Sequence, residues 1–474
     1  MSEKFTVALD IGTSSCRAAA VSAGGQVHLQ KSVLLTPKRP QNGLSYYDGA
    51  ELLSAAKQVL DELLQELGPG AARRLAVTSQ RSTVVLWDGA TGEVVAPVLT
   101  WEDGRAQQEA AQADLPQETV HARTGLYKTP YFSAPKIAWC LKNVPAAAAA
   151  LKKGTLKIAP VASYVIWALT EGRTFATDPT LAQRMLLLDI SIQTWSEPLS
   201  AAFGVPLACL PEIRPSAADY GTYRYRGLDL PICACVGDQQ ALASFEEMAP
   251  SQACLNYGTG AFLLYNAGKK AAFLPGLLTS LAASGEYLLE APVNAAGSVF
   301  LWLGAQGFDV PADKLDELCR SSKKPVWLLP ALGGLGAPYW DFTLSPVVRG
   351  LSPRTNAADW AAGAARGIAF LVADNAAYLR ANGYAISSPV KVSGGLSQIS
   401  YLMQFQADLL QAELCVADTP EGTLVGAARL ADGFAGRLLP RERTAGTVFS
   451  PRVTPQEALA LHQQWQAFVK WGKE

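Results

Sequence analysis

Residues 231–262, PICACVGDQQALASFEEMAPSQACLNYGTGAF, decide the reading of the chain. Residues 233–236 form a short apolar run that ends in a polar break, the pattern of a buried strand. Asp238 then stands just past the carboxyl end of a strand, where open α/β sheets collect their ligands. Farther on, Gly258, Thr259 and Gly260 form a turn between two apolar runs, 253–256 and 261–265. Backbone N–H groups at such a tip are available to an anion. A carboxylate that can take a proton, followed closely by an anion cradle, points to phosphoryl transfer.

The N-terminus repeats the device. Residues 5–9 are apolar, Asp10-Ile11-Gly12-Thr13-Ser14-Ser15 reads as a turn, and 16–21 resume the strand character. A tip of Gly, Thr and two Ser offers N–H and O–H donors to phosphate oxygens. Asp10 at its base suits magnesium, which takes one or two carboxylates alongside phosphate oxygens and water. Alone, this pattern also fits an ordinary polar hairpin. Paired with Gly258-Thr259, Gly12-Thr13 reads as its equivalent in a duplicated domain. Two such hairpins facing each other across a cleft would grip a nucleotide's phosphates from both sides. Apolar periodicity is lost over 245–251, which sets the expected boundaries: a first domain over 1–247, a second over 248–440, and a tail over 441–474 carrying a helix.

Other stretches supply a candidate pocket. Residues 51–67 have helical periodicity, and 75–78 and 83–87 read as strands around Gln80-Arg81-Ser82. Trp101 and Asp103 follow a strand-like run over 94–99, and Tyr131 precedes a helix that runs through Lys136 and Trp139. Arg81, Trp101, Asp103 and Tyr131 therefore stand at segment ends. Singly, each also fits a core aromatic or a surface ion pair. Together they form an aromatic wall with a few directed polar groups, which is how small polyhydroxy compounds are held. In the second half, Ala295, Ala296 and Gly297 open a helix with small residues that admit a ligand closely. A strand over 390–392 ends in Ser393-Gly394-Gly395, and bare backbone there can lie against a flat base or ribose. Long or small-residue helices are expected over 356–379 and 423–431, and a polar-faced one over 454–471.

Composition narrows the class. A chain of 474 residues is too long for one ordinary core. Hydrophobic residues at 49% and charged residues at 17% describe a globular protein. Lys+Arg at 40 nearly balance Asp+Glu at 41, which gives no electrostatic reason to expect nucleic acid or an anionic membrane as partner. The eight cysteines lack metal-finger spacing and several lie in apolar runs, so buried free thiols are expected. No apolar segment is long enough to span a bilayer, and the opening residues lack a signal-peptide core, so a cytoplasmic protein is expected. There is no GxxxxGK[ST] loop, no HExxH and no protein-kinase signature set. The three histidines, His28, His121 and His462, form no constellation in the sequence.

The motifs DIGTSS, QRSTVVLWD, YFSAPKIAW, GDQQA, NYGTGAFLLYNAG, GLGAPYWD, RGLSPRT, VSGGLSQISYLMQFQADLL and EGTLVGAA, taken in order, resemble the FGGY carbohydrate kinases. Within that family the pattern is nearest to the glycerol kinases. The resemblance implies an α/β fold of two duplicated actin-like (ribonuclease-H-like) domains flanking a deep cleft. It implies ATP and Mg²⁺ as cofactors, a small polyol or sugar as acceptor, and a homodimer or homotetramer. Carried over by motif, Asp238 is the general base and Asp10 helps to hold the metal. Gly12, Thr13, Ser14, Ser15 and Arg17 meet the phosphates from one domain, and Thr259 and Gly260 from the other. Gly297, Gly394 and Gly395 line the nucleoside. Arg81, Ser82, Trp101, Asp103, Tyr131, Asp238, Gln239 and Phe262 form the acceptor pocket.

The chain departs from the glycerol-kinase pattern at four positions. Ser82 stands where those enzymes have Glu, Leu301 and Ile399 where they have Gln and Asn near the adenine, and Ser393 where they have Asp. The expected activity is transfer of the γ-phosphoryl group of ATP to a hydroxyl of a polyol or sugar that can be larger than glycerol. The alternatives are a ketose kinase for xylulose or ribulose and, from another class, a non-enzymatic actin-like ATPase switch. Asp238 followed by Gln239, with an aromatic pocket in the first half, argues against the switch, which needs no polyol pocket.

Overall fold

The computed structural model describes residues 4–41, 43–68, 70–308, 311–417, 419, 421–436 and 446–473. By its internal contacts the chain divides into two compact units. The first comprises Met1–Glu247, Thr279–Glu286 and Glu421–Glu442, and the second Met248–Leu278, Tyr287–Pro420 and Arg443–Glu474. The expected first domain, 1–247, lies in the first unit, which also takes Thr279–Glu286 and Glu421–Glu442 from beyond it. The expected boundary at 440/441 lies outside the described residues.

The first unit is built on a mixed sheet. Strands β1 (Phe5–Ile11), β2 (Ser15–Val21) and β3 (Val27–Leu34) form an antiparallel meander. After helix α1 (Gly49–Leu67), β4 (Ala72–Ser79) lies parallel to β1. Strand β5 (Val84–Asp88) belongs to a separate small sheet. Helices α2 (Ser133–Asn143) and α3 (Val161–Leu169) follow. Strand β6 (Thr222–Tyr225) then pairs with β7 (Leu228–Gly237), which is parallel to β4. The sheet order is β6-β7-β4-β1-β2-β3. Helix α4 (Asp238–Phe245) begins at the residue after β7. The polar break of the sequence is therefore a helix start, with Gly237 as its N-cap.

Local sequence explains these elements. β1 is buried along its whole length, as a central strand covered on both faces must be. In α1, Asp48 caps the N-terminus by accepting from the N–H groups of Ala50 and Glu51, and satisfies two otherwise orphan donors. Leu52, Ala56, Val59, Leu60, Leu63 and Leu64 form its buried stripe.

The second unit repeats the topology. Strands β8 (Gln252–Tyr257), β9 (Ala261–Gly268) and β10 (Tyr287–Val293) are an antiparallel meander. Helix α5 (Gly297–Ala305) follows, then the long α6 (Ala357–Ala381), which opens on an Asn356/Asp359 capping box. β11 (Ser387–Ser393) lies parallel to β8. Helix α7 (Ser400–Leu410) leads to β12 (Leu414–Val416), parallel to β11. Thus β3-β2-β1-β4-β7 in the first unit and β10-β9-β8-β11-β12 in the second share one order, two antiparallel pairings and then two parallel ones. The duplication expected from the Gly-Thr tips is a duplication of whole sheets.

Helix α8 (Gly422–Phe434) groups with the first unit, although it follows β12 in the chain. A Cβ on Gly426 would stand 1.9 Å from the Ala241 carbonyl oxygen, so only glycine lets α8 lie this close to α4. Asp432 at the far end of α8 is buried. It accepts from Thr6 Oγ1 at 2.5 Å, Arg73 Nη2 at 2.7 Å and Arg74 Nη1 at 3.1 Å. Strand β13 (Val448–Phe449) pairs with β12. Helix α9 (Pro455–Lys473), expected to be polar-faced, exposes most of its residues and buries Ala458, Trp465, Phe468 and Val469. Trp465 stacks on Phe370 of α6 with ring centroids 4.8 Å apart, and its indole N–H donates to Asp374.

All eight cysteines are free thiols, and seven of them are buried. Among the described residues no helix is long and apolar enough to cross a membrane.

Candidate active site

In the first unit several candidate site residues gather at the carboxyl ends of β1, β4 and β7. These strands are parallel neighbours in register, with Ile11 opposite Ser79 and Ser79 opposite Gly237. The residues that follow β4 and β7 therefore emerge side by side. Arg81 Nε lies 3.3 Å from Asp238 Oδ1. Arg81 is nearly buried, with 5% of its side chain exposed, whereas Asp238 keeps 28% and can be reached by a ligand. Asp238 Oδ1 also accepts from the Gln239 N–H at 2.8 Å, which fixes the carboxylate at the first turn of α4.

The β1–β2 tip is held from several sides. Gly12 N–H donates to Ser15 O at 3.0 Å, closing the turn. The Tyr47 hydroxyl donates to Thr13 O at 2.6 Å, and Gln80 Nε2 to Gly12 O at 2.9 Å. Burial pushes the Tyr47 hydroxyl up to about 12, so it remains a donor. Ser14 at the tip is exposed, and Gly12, Thr13 and Ser15 are half-buried. The Trp101 indole N–H donates to Thr13 Oγ1 at 3.0 Å, and its ring lies 5.5 Å from that of Tyr131. The expected aromatic wall and the expected phosphate tip thus share a hydrogen bond.

Asp10 is 2% exposed, at the end of β1. Its Oδ2 accepts from Arg17 Nη2 at 2.6 Å, and Arg17 Nη1 donates to Glu421 Oε2 at 2.8 Å. Burial raises the Asp10 pKa, and the Arg17 charge works against that rise. Asp238 lies within electrostatic reach of the same guanidinium. Asp10 Oδ1 is buried with no hydrogen-bond partner. A buried carboxylate oxygen without a partner, at the strand end that leads into the β1–β2 tip, fits a hard cation, which is bound through oxygen. Among the described residues no group of three His, Cys, Asp or Glu is placed to hold a metal by itself. A magnesium ion that keeps its waters and a substrate's phosphates needs no such group.

Ser82 has a left-handed backbone, φ 64°, and its buried Oγ has no partner. Asp103 differs from the expectation of a side chain open to an acceptor. It is 1% exposed and both oxygens are engaged, Oδ1 by Arg105 N and Nε, and Oδ2 by Arg105 Nη2 and Ser45 N. Its work is to hold Arg105, whose guanidinium sits 4.9 Å from the Trp139 ring centre.

In the second unit the β8–β9 tip leaves Gly258 and Thr259 exposed. The start of α5 is hydrogen-bonded to this tip, with Gly297 N donating to Gly258 O at 2.9 Å and Ala296 N to Thr259 O at 2.8 Å. A Cβ on Gly297 would stand 2.8 Å from Gly258 O, and one on Gly260 would stand 2.8 Å from Val293 O. The small residues therefore serve tip packing as well as access. Gly394 has φ 92° and is crowded by Tyr257 O at 2.5 Å from an added Cβ, whereas Gly395 faces open space. On α5, Leu301 is 77% exposed, and Ile399, at the start of α7, is 5% exposed. Phe262 lies half-buried on β9 in this unit.

Two residues of the first-unit site escape sequence reasoning. Glu421 is joined to Arg17 across 404 positions, a contact that local pattern does not encode. Lys136 is fully buried in α2 beside Ser82 and Tyr131. Its signal is a lysine inside a helical run that is otherwise wholly buried, residues 133–137.

Known proteins resemble this chain along nearly its whole length. The model of the FGGY family of carbohydrate kinases, N-terminal domain, matches residues 5–244, and that of the C-terminal domain matches 253–432. The chain is 36% identical to a glycerol kinase of Shewanella oneidensis, over 99% of each chain. It is 34% identical to a glycerol kinase of Thermus brockianus, again over 99% of each. Among solved structures, Plasmodium falciparum glycerol kinase with ADP superposes with a TM-score of 0.88 at 25% identity, covering 100% of this chain and 99% of that one. The chain belongs to the FGGY family of carbohydrate kinases, phosphotransferases with an alcohol group as acceptor.

Proposed function

We propose that this carbohydrate kinase phosphorylates a small neutral polyhydroxy compound longer than glycerol, with Asp238 as the general base. The observation that carries the reading is the pair Arg81–Asp238 on adjacent parallel strand ends, next to the unpartnered Ser82 hydroxyl. The partly exposed Asp238 carboxylate would take the proton of the attacking hydroxyl. The buried Arg81 would keep that carboxylate oriented and bind an acceptor oxygen. Trp101 and Tyr131 would pack against the carbon chain, and Gln239 would add a polar contact. In phosphoryl transfer the protein contributes mainly positioning and electrostatic stabilisation, so a fixed acceptor is the larger part of catalysis.

Thr13, Ser14, Ser15 and Arg17 would be the first unit's contacts to nucleotide phosphates, and Thr259 and Gly260 the second unit's. Gly297, Gly394 and Gly395 would line the nucleoside. A magnesium ion, supplying charge neutralisation at the phosphates, would be held through Asp10 Oδ1. The enzyme would work in the cytoplasm, where ATP is at hand.

Acceptor length follows from Ser82. A glutamate there would accept charge-assisted hydrogen bonds from two hydroxyls of a three-carbon polyol. A neutral serine accepts fewer and weaker ones, a loss on the order of 1.5–3 kcal/mol of binding. The shorter side chain leaves the Oγ without a partner, which a further acceptor hydroxyl would supply. The test compares kcat/KM for glycerol with that for four- to six-carbon polyols and ketoses, xylulose and ribulose included, on native protein and on Ser82→Glu. Preference for the longer acceptors, moved toward glycerol by Ser82→Glu, is the expected result. Native preference for glycerol, or no movement in the variant, overturns it. Matches to both domains of the kinase family, over 5–244 and 253–432, leave no support for a non-enzymatic switch.

A further inference from the structure

We propose that Lys136 is a positioning residue of the acceptor pocket, which ties the polar wall at Ser82 to the aromatic wall at Tyr131. The inference rests on the reading of those two residues as acceptor-binding. Lys136 Nζ donates to the Tyr131 carbonyl at 2.8 Å and to the Ser82 carbonyl at 3.3 Å. Ser133, one turn earlier on α2, donates its hydroxyl to the same Ser82 carbonyl at 3.2 Å. Ser82 is the residue whose left-handed backbone must be held from outside, and Tyr131 presents its ring to Trp101. One ammonium thus fixes two backbone segments 49 positions apart, the difference between 131 and 82, that carry the two kinds of acceptor contact.

The lysine is an expensive choice for a space-filling role. Its side chain is fully buried and makes no direct ion pair among the described residues. Burial pulls its pKa down to about 7, and only the more distant Asp103 and Cys140 oppose that fall. The charged groups facing it are few. Asp103 is already engaged by Arg105, and the Cys140 thiol is pushed up to about 12 by burial and stays neutral. A methionine would fill the same volume without dehydrating a charge. What methionine lacks is the pair of hydrogen bonds to Ser82 and Tyr131. Protonated lysine holds both carbonyls with charge-assisted bonds, and the neutral amine holds them less strongly.

The test uses the full chain, with the best acceptor from the panel above and ATP. Lys136→Met should raise the acceptor KM by about tenfold or more, the effect of about one hydrogen bond's worth of positioning, with the ATP KM and the kcat at saturating acceptor changed far less. In the native protein the acceptor KM should climb as pH rises through about 7, where Lys136 loses its proton, and Lys136→Met should abolish that climb. Tyr131→Leu, measured alongside, separates the two levels of the argument. A raised acceptor KM in Tyr131→Leu with an unchanged one in Lys136→Met overturns the clamp alone. No change in either variant overturns the pocket itself. Should Lys136→Met fail to fold, the native pH profile decides, and a flat acceptor KM from pH 6 to pH 8.5 refutes the proposal.

Discussion

Replacing Asp238 by asparagine separates chemistry from architecture. The amide can keep its oxygen where Oδ1 stands, so the bonds from Gln239 N at 2.8 Å and Arg81 Nε at 3.3 Å survive in shape. What is lost is charge. A hydrogen bond to an ionised group contributes about 1.5–3 kcal/mol and a neutral one about 0.5–1.5, so the 5%-exposed Arg81 loses on the order of 1 kcal/mol of support. For a unit of this size that shifts Tm by only about 2–4 °C. The catalytic loss is far larger, because an amide does not accept the hydroxyl proton. General-base removal costs about 10²–10⁴ in rate, or about 3–5 kcal/mol on the barrier. The contrast between a small Tm shift and a large fall in kcat is the signature expected of a base. ADP release with saturating ATP and acceptor measures kcat, and thermal unfolding measures the shift. ATP binding, followed by ligand-induced stabilisation without acceptor, should be nearly unchanged. More than about a tenth of native kcat in Asp238→Asn would remove the residue from this role.

Three further outcomes are expected. Gly297→Ala puts a Cβ 2.8 Å from Gly258 O, an overpacking worth about 1–3 kcal/mol that must be relieved by moving the β8–β9 tip. Its ATP KM should rise by about tenfold or more while the acceptor KM stays put, and an unchanged ATP KM excludes the tip from phosphate binding. Asp432→Ala strands Arg73 and Arg74, whose side chains are only 11% and 8% exposed, and should cost about 3–5 kcal/mol in denaturant unfolding; a loss below about 1 kcal/mol contradicts the network. For Lys136 the folded pKa of about 7 lies below the unfolded value, so the unfolded chain binds more protons between the two and native stability rises with pH across that window. The stability of native protein relative to Lys136→Met should therefore grow from pH 7 toward pH 10 by up to about 1.4 kcal/mol per unit, and a difference flat with pH denies the buried charge.

Much of the fold is legible because its signals are local. Short apolar runs ending in Gly-Thr tips mark β1–β2 and β8–β9, and the stripe of α1 follows from its periodicity. The base candidate is legible because Asp238 follows a strand end directly. What escapes the sequence is the pairing of distant parts. Nothing near residue 421 says that its carboxylate reaches Arg17, and nothing near 432 says that it closes on Arg73 and Arg74. The sequence shows α9 a polar face, and only the docked structure shows Trp465 against Phe370. Asp103 fails as an open pocket residue for the same reason, since its neighbour two positions on, Arg105, and the more distant Ser45 take up its oxygens. Spacing announces a polar residue at a segment end but not whether its atoms are already occupied.

Three exceptions to ordinary stability rules stand near neighbouring strand ends of the first unit. Ser82 holds a left-handed backbone that suits Gly or Asn better, and its hydroxyl is buried without a partner. Lys136 beside it is a dehydrated ammonium. Asp10, at the end of the neighbouring strand, leaves one buried oxygen unpaired. A chain shaped for stability alone would relax each of these with a single substitution. Strain, an orphan polar atom and a buried charge persist where the surrounding fold over-determines them and ligand contacts use them. The rest of the first unit can carry that cost. Its central strand is fully buried, α8 packs on α4 through Gly426, and Asp432 is tied to two arginines. Stabilising substitutions at positions 82 and 136 should therefore lower acceptor affinity as they raise Tm, whereas stabilising changes on the solvent face of α1 should leave catalysis untouched. A variant at 82 or 136 that gains stability with no loss of kcat/KM for the acceptor would break the link between these local costs and function.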